Sequence, residues 1–194
     1  MLDSIRHNLS SLTTFSGRDG RATFWFYVLF LLIIQYVIGM AIALPMLGGA
    51  AQEAFQAAKQ GASDAEMQAR LMASMSGSMR TSMMLSGVVA VVFGLLLVAS
   101  FVRRLHDSGR PGWIAAIPFV LVAGGQAASM ANMETVIDAL VNSNTANPAA
   151  VLQAQKPLLL ASTLTWIGYL IVIVFGVWPS SDGDNAYGAE PDHF

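Results

Sequence analysis

The sequence predicts an all-α membrane protein, a four-transmembrane-helix bundle with two extracytoplasmic helical loops, as a single membrane domain over residues 1–194. Composition is the first observation: 55% of the residues are hydrophobic and 11% are charged, with a mean hydropathy of +0.56. A soluble domain usually carries about 25% charged residues, so this composition is typical of a membrane protein. The second observation is four apolar runs separated by polar connections. The predicted spans are about 24–47, 83–102, 113–128 and 158–178.

The first span follows a polar N-terminal segment, residues 1–21. Apolar residues recur there at helical spacing, which fits either a short interfacial amphipathic helix or a frayed terminus. No charge occurs between Ala22 and Gln52. Trp25 and Tyr27 lie near the start of the apolar run, as in the aromatic belts of membrane proteins. The run is longer than the apolar core of a cleaved signal peptide, which favours an uncleaved span.

The first insert, residues 48–82, is rich in Gly, Ala, Gln and Met. Ser63 and Glu66 have the spacing of a capping box, in which a serine and a glutamate three residues later satisfy the first amides of a helix. Gly61 just before them favours a turn. No strong helix breaker follows before the second span. The sequence therefore predicts a helix outside the bilayer that begins near Asp64 and is continuous, or nearly so, with the span at 83–102.

The third span is short and contains Pro118, which favours a kinked or tilted helix. The second insert, residues 129–157, contains a short amphipathic pattern at 136–141. Asn147 and Pro148 then suggest a helix start, with proline at the first helical position. Pro157 lies at the entry to the fourth span. An acidic, turn-rich tail, residues 179–191, closes the chain.

The densest group of ionisable residues is Arg103-Arg104-Leu105-His106-Asp107-Ser108-Gly109-Arg110-Pro111-Gly112-Trp113, between the second and third spans. Four spans place both termini on one side of the membrane together with this connection. That side carries six basic residues, whereas the two longer inserts carry four. The positive-inside rule therefore predicts cytoplasmic termini. The six are Arg6, Arg18, Arg21, Arg103, Arg104 and Arg110; the four are Lys59, Arg70, Arg80 and Lys156.

Three separated motifs resemble one known family. They are Phe15-Ser16-Gly17-Arg18-Asp19-Gly20-Arg21 followed by Phe24-Trp25, the stretch 103–113, and Gly183-Asp184-Asn185-Ala186-Tyr187-Gly188 before Pro191. Together they resemble the domain of unknown function 805 family, the YhaH-like bacterial inner-membrane proteins. The resemblance does not cover residues 48–82 or 129–157. It implies a small helical membrane domain and supplies no catalytic residues, because the activity of the family is unknown.

On this topology the three motifs meet at the cytoplasmic face, and we expect a charge-assisted network that clamps both termini onto the central connection. The acidic tail, with Asp182 and Asp184, is expected to face the arginines. An alternative is that the arginines bind anionic lipid headgroups or belong to a lipid-modifying module. The predicted cluster comprises Arg18, Arg21, Arg103, Arg104, His106, Asp107, Arg110, Trp113, Asn185 and Tyr187.

The sequence predicts a non-enzymatic protein with no catalytic, cofactor-binding or metal-binding residues. His106 and Asp107 suggest proton transfer, but adjacent residues on a helix point apart, and no nucleophile motif accompanies them. The absence of cysteine excludes disulfides and thiolate chemistry. A methionine stripe is expected to be a packing surface rather than a Cu(I) site. It comprises Met72, Met75, Met79 and Met83.

Ionisable residues inside spans usually mark a transport pathway, and these spans contain none. An ion carrier is therefore not expected. The net charge of −2 gives no reason to expect nucleic acid. The expected partners are membrane lipids, anionic ones where the arginines bind headgroups, and an unknown membrane protein or a second copy of the chain.

Overall fold

The computed structural model describes residues 1–135 and 148–191. In these ranges the chain forms five α-helices and one short 3₁₀ turn, Gly112–Ala115. Four segments, the third being the 3₁₀ turn together with α4, are long and apolar enough to cross a membrane. The helices are α1 (Leu2–Ser10), α2 (Arg21–Lys59), α3 (Asp64–Asp107), α4 (Ala116–Ala131) and α5 (Pro148–Val177).

Helices α2 and α3 extend well beyond the first two predicted spans. The predicted capping box is present, because Ser63 N–H donates to Glu66 Oε2 at 3.0 Å and Glu66 N–H donates to Ser63 Oγ at 3.4 Å. Gly61 has φ +70°, the left-handed conformation that favours glycine in a turn. The prediction of one helix from Asp64 into the second span is therefore confirmed.

Helix α5 begins at Pro148, as predicted, and starts ten residues before the fourth predicted span. Pro157 lies inside this helix rather than at its start. A helix can continue through a proline in apolar surroundings, because breaking it would leave more backbone groups without partners. Pro118 lies in the first turn of α4, where a proline costs no helical hydrogen bond. The predicted pattern at 136–141 and the cap at Asn147 lie outside the described residues.

The chain divides into two compact units. The first comprises Met1–Gln35, Val89–Gly125 and Thr163–Phe194, and its buried apolar core centres on Phe24, Phe101 and Leu105. Gly176 packs into this unit so closely that a Cβ would lie 2.8 Å from Phe24 Cε1. The first unit contains all the motif residues discussed above.

The second unit comprises Tyr36–Val88 and Gln126–Ser162. The Met130 side chain covers Gly87, because a Cβ on this glycine would meet the terminal methyl of Met130. Ten of the eleven methionines of the sequence lie in this unit. Methionine is flexible and fills irregular gaps, so its enrichment suits the packing role predicted for the stripe.

Candidate functional site

The candidate site is built on the C-terminal end of α3. Gly109 has φ +69°, and its N–H donates to the His106 carbonyl at 3.0 Å. The Arg110 N–H donates to the Leu105 carbonyl at 2.9 Å. These two bonds form a Schellman motif, which ends a helix through a left-handed residue, and Pro111 follows where the helix can no longer continue. The ending fixes the direction of the side chains in the last turn of α3.

Arg103 and Arg104 point to different segments because successive residues on an α-helix are about 100° apart. Arg103 Nε donates to Asp19 Oδ2 at 3.0 Å, and its Nη2 donates to Asn8 Oδ1 at 2.7 Å. Its Nη1 donates to the carbonyl of Ser11 at 2.9 Å and to that of Thr14. Arg103 therefore holds the N-terminal segment, including the carbonyl just after α1.

Arg104 instead holds the C-terminal end of α5. Its Nε donates to the Gly176 carbonyl at 3.1 Å, and its Nη2 donates to the Trp178 carbonyl. Its Nη1 donates to Asp107 Oδ2, three residues further along α3 and on the same face. A guanidinium at a helix C-terminus satisfies carbonyls that lack helical partners and opposes the negative end of the helix dipole. Arg104 is thus a cap for α5.

Arg18 joins the N-terminal segment to the tail. Its Nε and Nη2 donate to Asp107 Oδ1 at 3.2 and 3.1 Å. Nη2 also donates to the Ser181 carbonyl at 2.9 Å, and Nη1 donates to the carbonyls of Gly183 at 2.7 Å and Gly188 at 3.3 Å. Both glycines have positive φ, at +65° and +141°. The tail therefore meets Arg18 with backbone oxygens.

His106 and Tyr187 form a second contact between α3 and the tail. Their rings are stacked, with centroids 3.9 Å apart and planes at 3°. His106 Nδ1 lies 3.2 Å from the Gly17 carbonyl, so this nitrogen carries the hydrogen. Asn185 Nδ2 donates to the His106 carbonyl at 3.0 Å, and Asn185 Oδ1 accepts the Tyr187 N–H at 2.8 Å. Asn185 therefore orders its own turn while binding the end of α3.

The five charged side chains that meet here are called the Arg–Asp cluster: Arg18, Asp19, Arg103, Arg104 and Asp107. Each is at most 3% exposed. Burying an ion costs several kcal/mol unless it is paired and hydrogen-bonded. Three guanidinium groups share two carboxylates, which leaves an excess of one positive charge. Backbone carbonyls from the end of α1, the end of α5 and the tail help to offset that excess.

Several predicted site residues lie outside the cluster. Arg21 is exposed at the first position of α2, and no described residue pairs with its guanidinium. It lines a pocket of about 370 Å³ together with Asp182 and Glu190. Trp113 is 68% exposed. Within the described residues, no arginine pairs with Asp182 or Asp184. The expectation that the acidic tail supplies carboxylates to the arginines is therefore wrong.

Arg110 is also separate from the cluster. Its guanidinium carbon lies 4.4 Å from the centroid of the Trp178 ring and 5.2 Å from that of Phe175. These are cation–π distances. Its Nε is buried and has no hydrogen-bond partner among residues 1–135 and 148–191.

Sequence reasoning did not select Asp19 as a site residue, although Asp19 is 1% exposed and binds Arg103. Its other oxygen accepts from His7 Nε2 at 3.0 Å, and Ser100 Oγ donates to Oδ2 at 3.2 Å. Sequence reasoning also did not select Asn8, which lies on the buried polar face of α1. The signal for Asp19 was its place beside Arg18 in the first motif. The signal for Asn8 was a polar residue within the apolar periodicity.

A second pocket, of about 320 Å³, lies within the second unit. Two methionines of the predicted stripe line it, whereas Met72 is 40% exposed. Among the described residues, no three His, Asp or Glu side chains come together in a way that could hold a metal ion. The lining residues are Met46, Met79, Ser82, Met83, Ser86, Gln126, Ser129 and Met130.

The sequence matches one known protein family over most of its length. A family model described as "Protein of unknown function (DUF805)" matches residues 12–189. The matched range contains the whole Arg–Asp cluster and also runs through residues 48–82 and 129–157. No curated protein and no solved structure is significantly similar to the chain.

Proposed function

The chain belongs to the family of proteins of unknown function DUF805, and from this premise we propose that it is a multi-pass protein of the bacterial inner membrane with a structural or interaction role. The Arg–Asp cluster is its structural centre. It ties both terminal segments to the end of α3 and so holds one face of the protein in a fixed form. That face is available to a membrane protein partner or to a second copy of the chain.

One observation carries the structural role of the cluster. All three nitrogens in each guanidinium of Arg18, Arg103 and Arg104 donate to acceptors within the chain. An arginine that recognises a ligand presents its donors outward. These donors are used internally and the side chains are buried, so holding the chain together is the role that the contacts support.

The proposed orientation has both termini in the cytoplasm and the two inserts, residues 48–82 and 129–157, outside it. Four spans return the chain to the side where it began, and the terminal side carries the larger number of arginines. The short connection between α3 and α4 lies on that same side. The exposed apolar residues of α1, Leu2 and Leu9, suit a helix lying in the interface.

A catalytic role for His106 and Asp107 has less support. His106 Nδ1 is engaged by the Gly17 carbonyl, and Tyr187 stacks on the imidazole ring. Both oxygens of Asp107 accept from arginines, and Oδ2 also accepts from Ser180 Oγ at 2.6 Å. A general base needs a free acceptor within reach of substrate. These contacts leave Asp107 no free oxygen. His106, with its hydrogen on Nδ1, keeps a lone pair on Nε2, and for this residue it is the ring stacking and the Nδ1 contact that favour a structural use.

Native mass spectrometry and thermal melting test the structural role against lipid recognition at the cluster. The purified chain is compared with an Arg103→Gln, Arg104→Gln variant in the same detergent, with lipids retained. We expect the variant to melt well below the parent, by roughly 6–20 °C if one buried pairing worth about 3–5 kcal/mol is lost. Loss of a stoichiometric anionic lipid at an unchanged melting temperature would contradict the structural role.

A further inference from the structure

Arg110 differs from the three arginines of the Arg–Asp cluster in how its donors are used. No described residue accepts a hydrogen bond from its guanidinium, and its Nε is buried without a partner. Buried polar atoms in proteins are nearly always hydrogen-bonded, and an unsatisfied one costs about 1–3 kcal/mol. The buried Nε is itself out of reach, but the two Nη groups are not buried, and they are the donors that an acceptor from outside the chain reaches.

The surroundings of Arg110 indicate the chemistry of that acceptor. The guanidinium lies against the rings of Trp178 and Phe175, at 4.4 and 5.2 Å from their centroids. A planar guanidinium held on aromatic rings keeps its N–H donors in one plane, the arrangement that binds phosphate or carboxylate through two bonds. Asp107, the nearest acidic residue along the chain, already accepts from Arg18 and Arg104.

The position of Arg110 indicates where such a ligand comes from. Trp178 directly follows α5 and is 41% exposed, and Trp113, just after Arg110, is 68% exposed. Exposed tryptophans at the ends of spanning helices mark the headgroup level of a bilayer. Arg110 therefore lies at the depth of lipid phosphates, provided that the helices cross the membrane as proposed above.

We propose that Arg110, seated on Trp178 and Phe175, binds the phosphate of an anionic phospholipid. The preference for a lipid with net negative charge follows from the neighbouring Arg–Asp cluster, which carries one unbalanced positive charge. A zwitterionic lipid offers the same phosphate but cancels that attraction with its own cation. The lipid site is thus narrower than the alternative from the sequence, which assigned headgroup binding to all the arginines of the motifs, Arg110 included.

Arg21 provides a matched control. It has the same charge, and its guanidinium likewise lacks a described partner. The carboxylates of Asp182 and Glu190 line the same pocket as Arg21, which disfavours an anion there. Arg21→Gln therefore removes a comparable charge without removing the proposed site.

The experiment is native mass spectrometry of the full chain in detergent, titrated with phosphatidylglycerol or with phosphatidylcholine. We expect the parent and Arg21→Gln to retain phosphatidylglycerol in preference to phosphatidylcholine. Arg110→Gln should retain it about fivefold less, the fold-change that corresponds to about 1 kcal/mol for one basic group. Trp178→Ala should reduce retention about two- to fivefold by removing the ring, while the Trp178 carbonyl that binds Arg104 stays in place.

Several outcomes would overturn the proposal. Equal losses in Arg110→Gln and Arg21→Gln would show a general charge effect, and undiminished retention in Arg110→Gln would exclude the site. Displacement of the lipid by millimolar inorganic phosphate would identify a free anion as the ligand. If Arg110→Gln does not fold, Arg110→Lys replaces it, because it keeps the charge but loses the planar two-bond contact, and we expect intermediate retention. Failure of the structural role would appear instead as lipid loss in the Arg103→Gln, Arg104→Gln variant at an unchanged melting temperature.

Discussion

Asp107 is the residue on which the Arg–Asp cluster depends most. One of its oxygens accepts from Arg18, and the other accepts from Arg104 and Ser180. Its side chain is 0% exposed. An Asp107→Asn substitution keeps the shape of the side chain, but it removes the charge and turns an amide N–H₂ towards one of the donors. The buried guanidinium groups of Arg18 and Arg104 then lose the carboxylate that both of them bind.

Breaking a buried ion pair by removing one partner costs about 3–5 kcal/mol. In a protein of this length, 1 kcal/mol changes the melting temperature by roughly 2–4 °C, so Asp107→Asn should melt about 6–20 °C lower than the parent. Differential scanning fluorimetry in one detergent measures the change. Asp182→Asn is the control, because Asp182 is exposed and forms no described ion pair; we expect a change within about 0.5 kcal/mol.

A double-mutant cycle makes this test more specific. Arg18→Gln and Asp107→Asn remove the same contact from its two sides, so their combined effect should fall short of the sum. The expected coupling energy is about 0.5–3 kcal/mol. Additive effects, or an Asp107→Asn variant that melts within about 2 °C of the parent, would refute the reasoning that this carboxylate holds the two arginines.

Two further predictions concern packing and orientation. Gly176→Ala places a methyl group 2.8 Å from Phe24 Cε1 and Trp25 Cζ2. Because this overpacks the core, a melting assay should show the unfolding free energy falling by about 1–3 kcal/mol. Gly39→Ala is the control, since a Cβ there has nothing within 4 Å and should not have this effect. Because the chain has no cysteine, a single introduced cysteine reports on which side of the membrane it lies. A membrane-impermeant maleimide applied outside intact spheroplasts should label Ala65→Cys. It should label Thr13→Cys and Ala189→Cys only after lysis. The reverse pattern would invert the proposed topology.

The parts of the fold that depend on local sequence were predictable. Four apolar segments followed from composition, and the start of α3 followed from the Ser63–Glu66 capping box. The first two predicted spans are shorter than the helices that contain them, α2 and α3, because an apolar window marks only the part of a helix that suits lipid. The helix around it continues until a specific stop, such as Gly61 or Gly109, ends it.

The pairing inside the site was less predictable. Asp182 and Asp184 were expected to meet the arginines because the tail is acidic, yet the carboxylates come from Asp19 and Asp107. The tail contributes carbonyls instead, and carbonyl directions depend on backbone angles such as the positive φ of Gly183. Composition records which residues carry charge, but it does not record where backbone oxygens point. Contacts between residues 84 or more positions apart also leave no periodic signal in one sequence.

The adjacency of Arg103 and Arg104 has a structural consequence that neither residue has alone. Because they leave α3 about 100° apart, one reaches the N-terminal segment and the other reaches the end of α5. Each guanidinium is acceptable in a buried position only while its acceptors are present, since an isolated buried charge costs several kcal/mol. Detaching the N-terminal segment therefore leaves Arg103 without its acceptors, and detaching the end of α5 leaves Arg104 without its acceptors there. In each case the destabilised arginine is adjacent to the one that holds the other segment. Arg18 and Asp107 connect the two halves directly, so the two termini should detach together rather than independently.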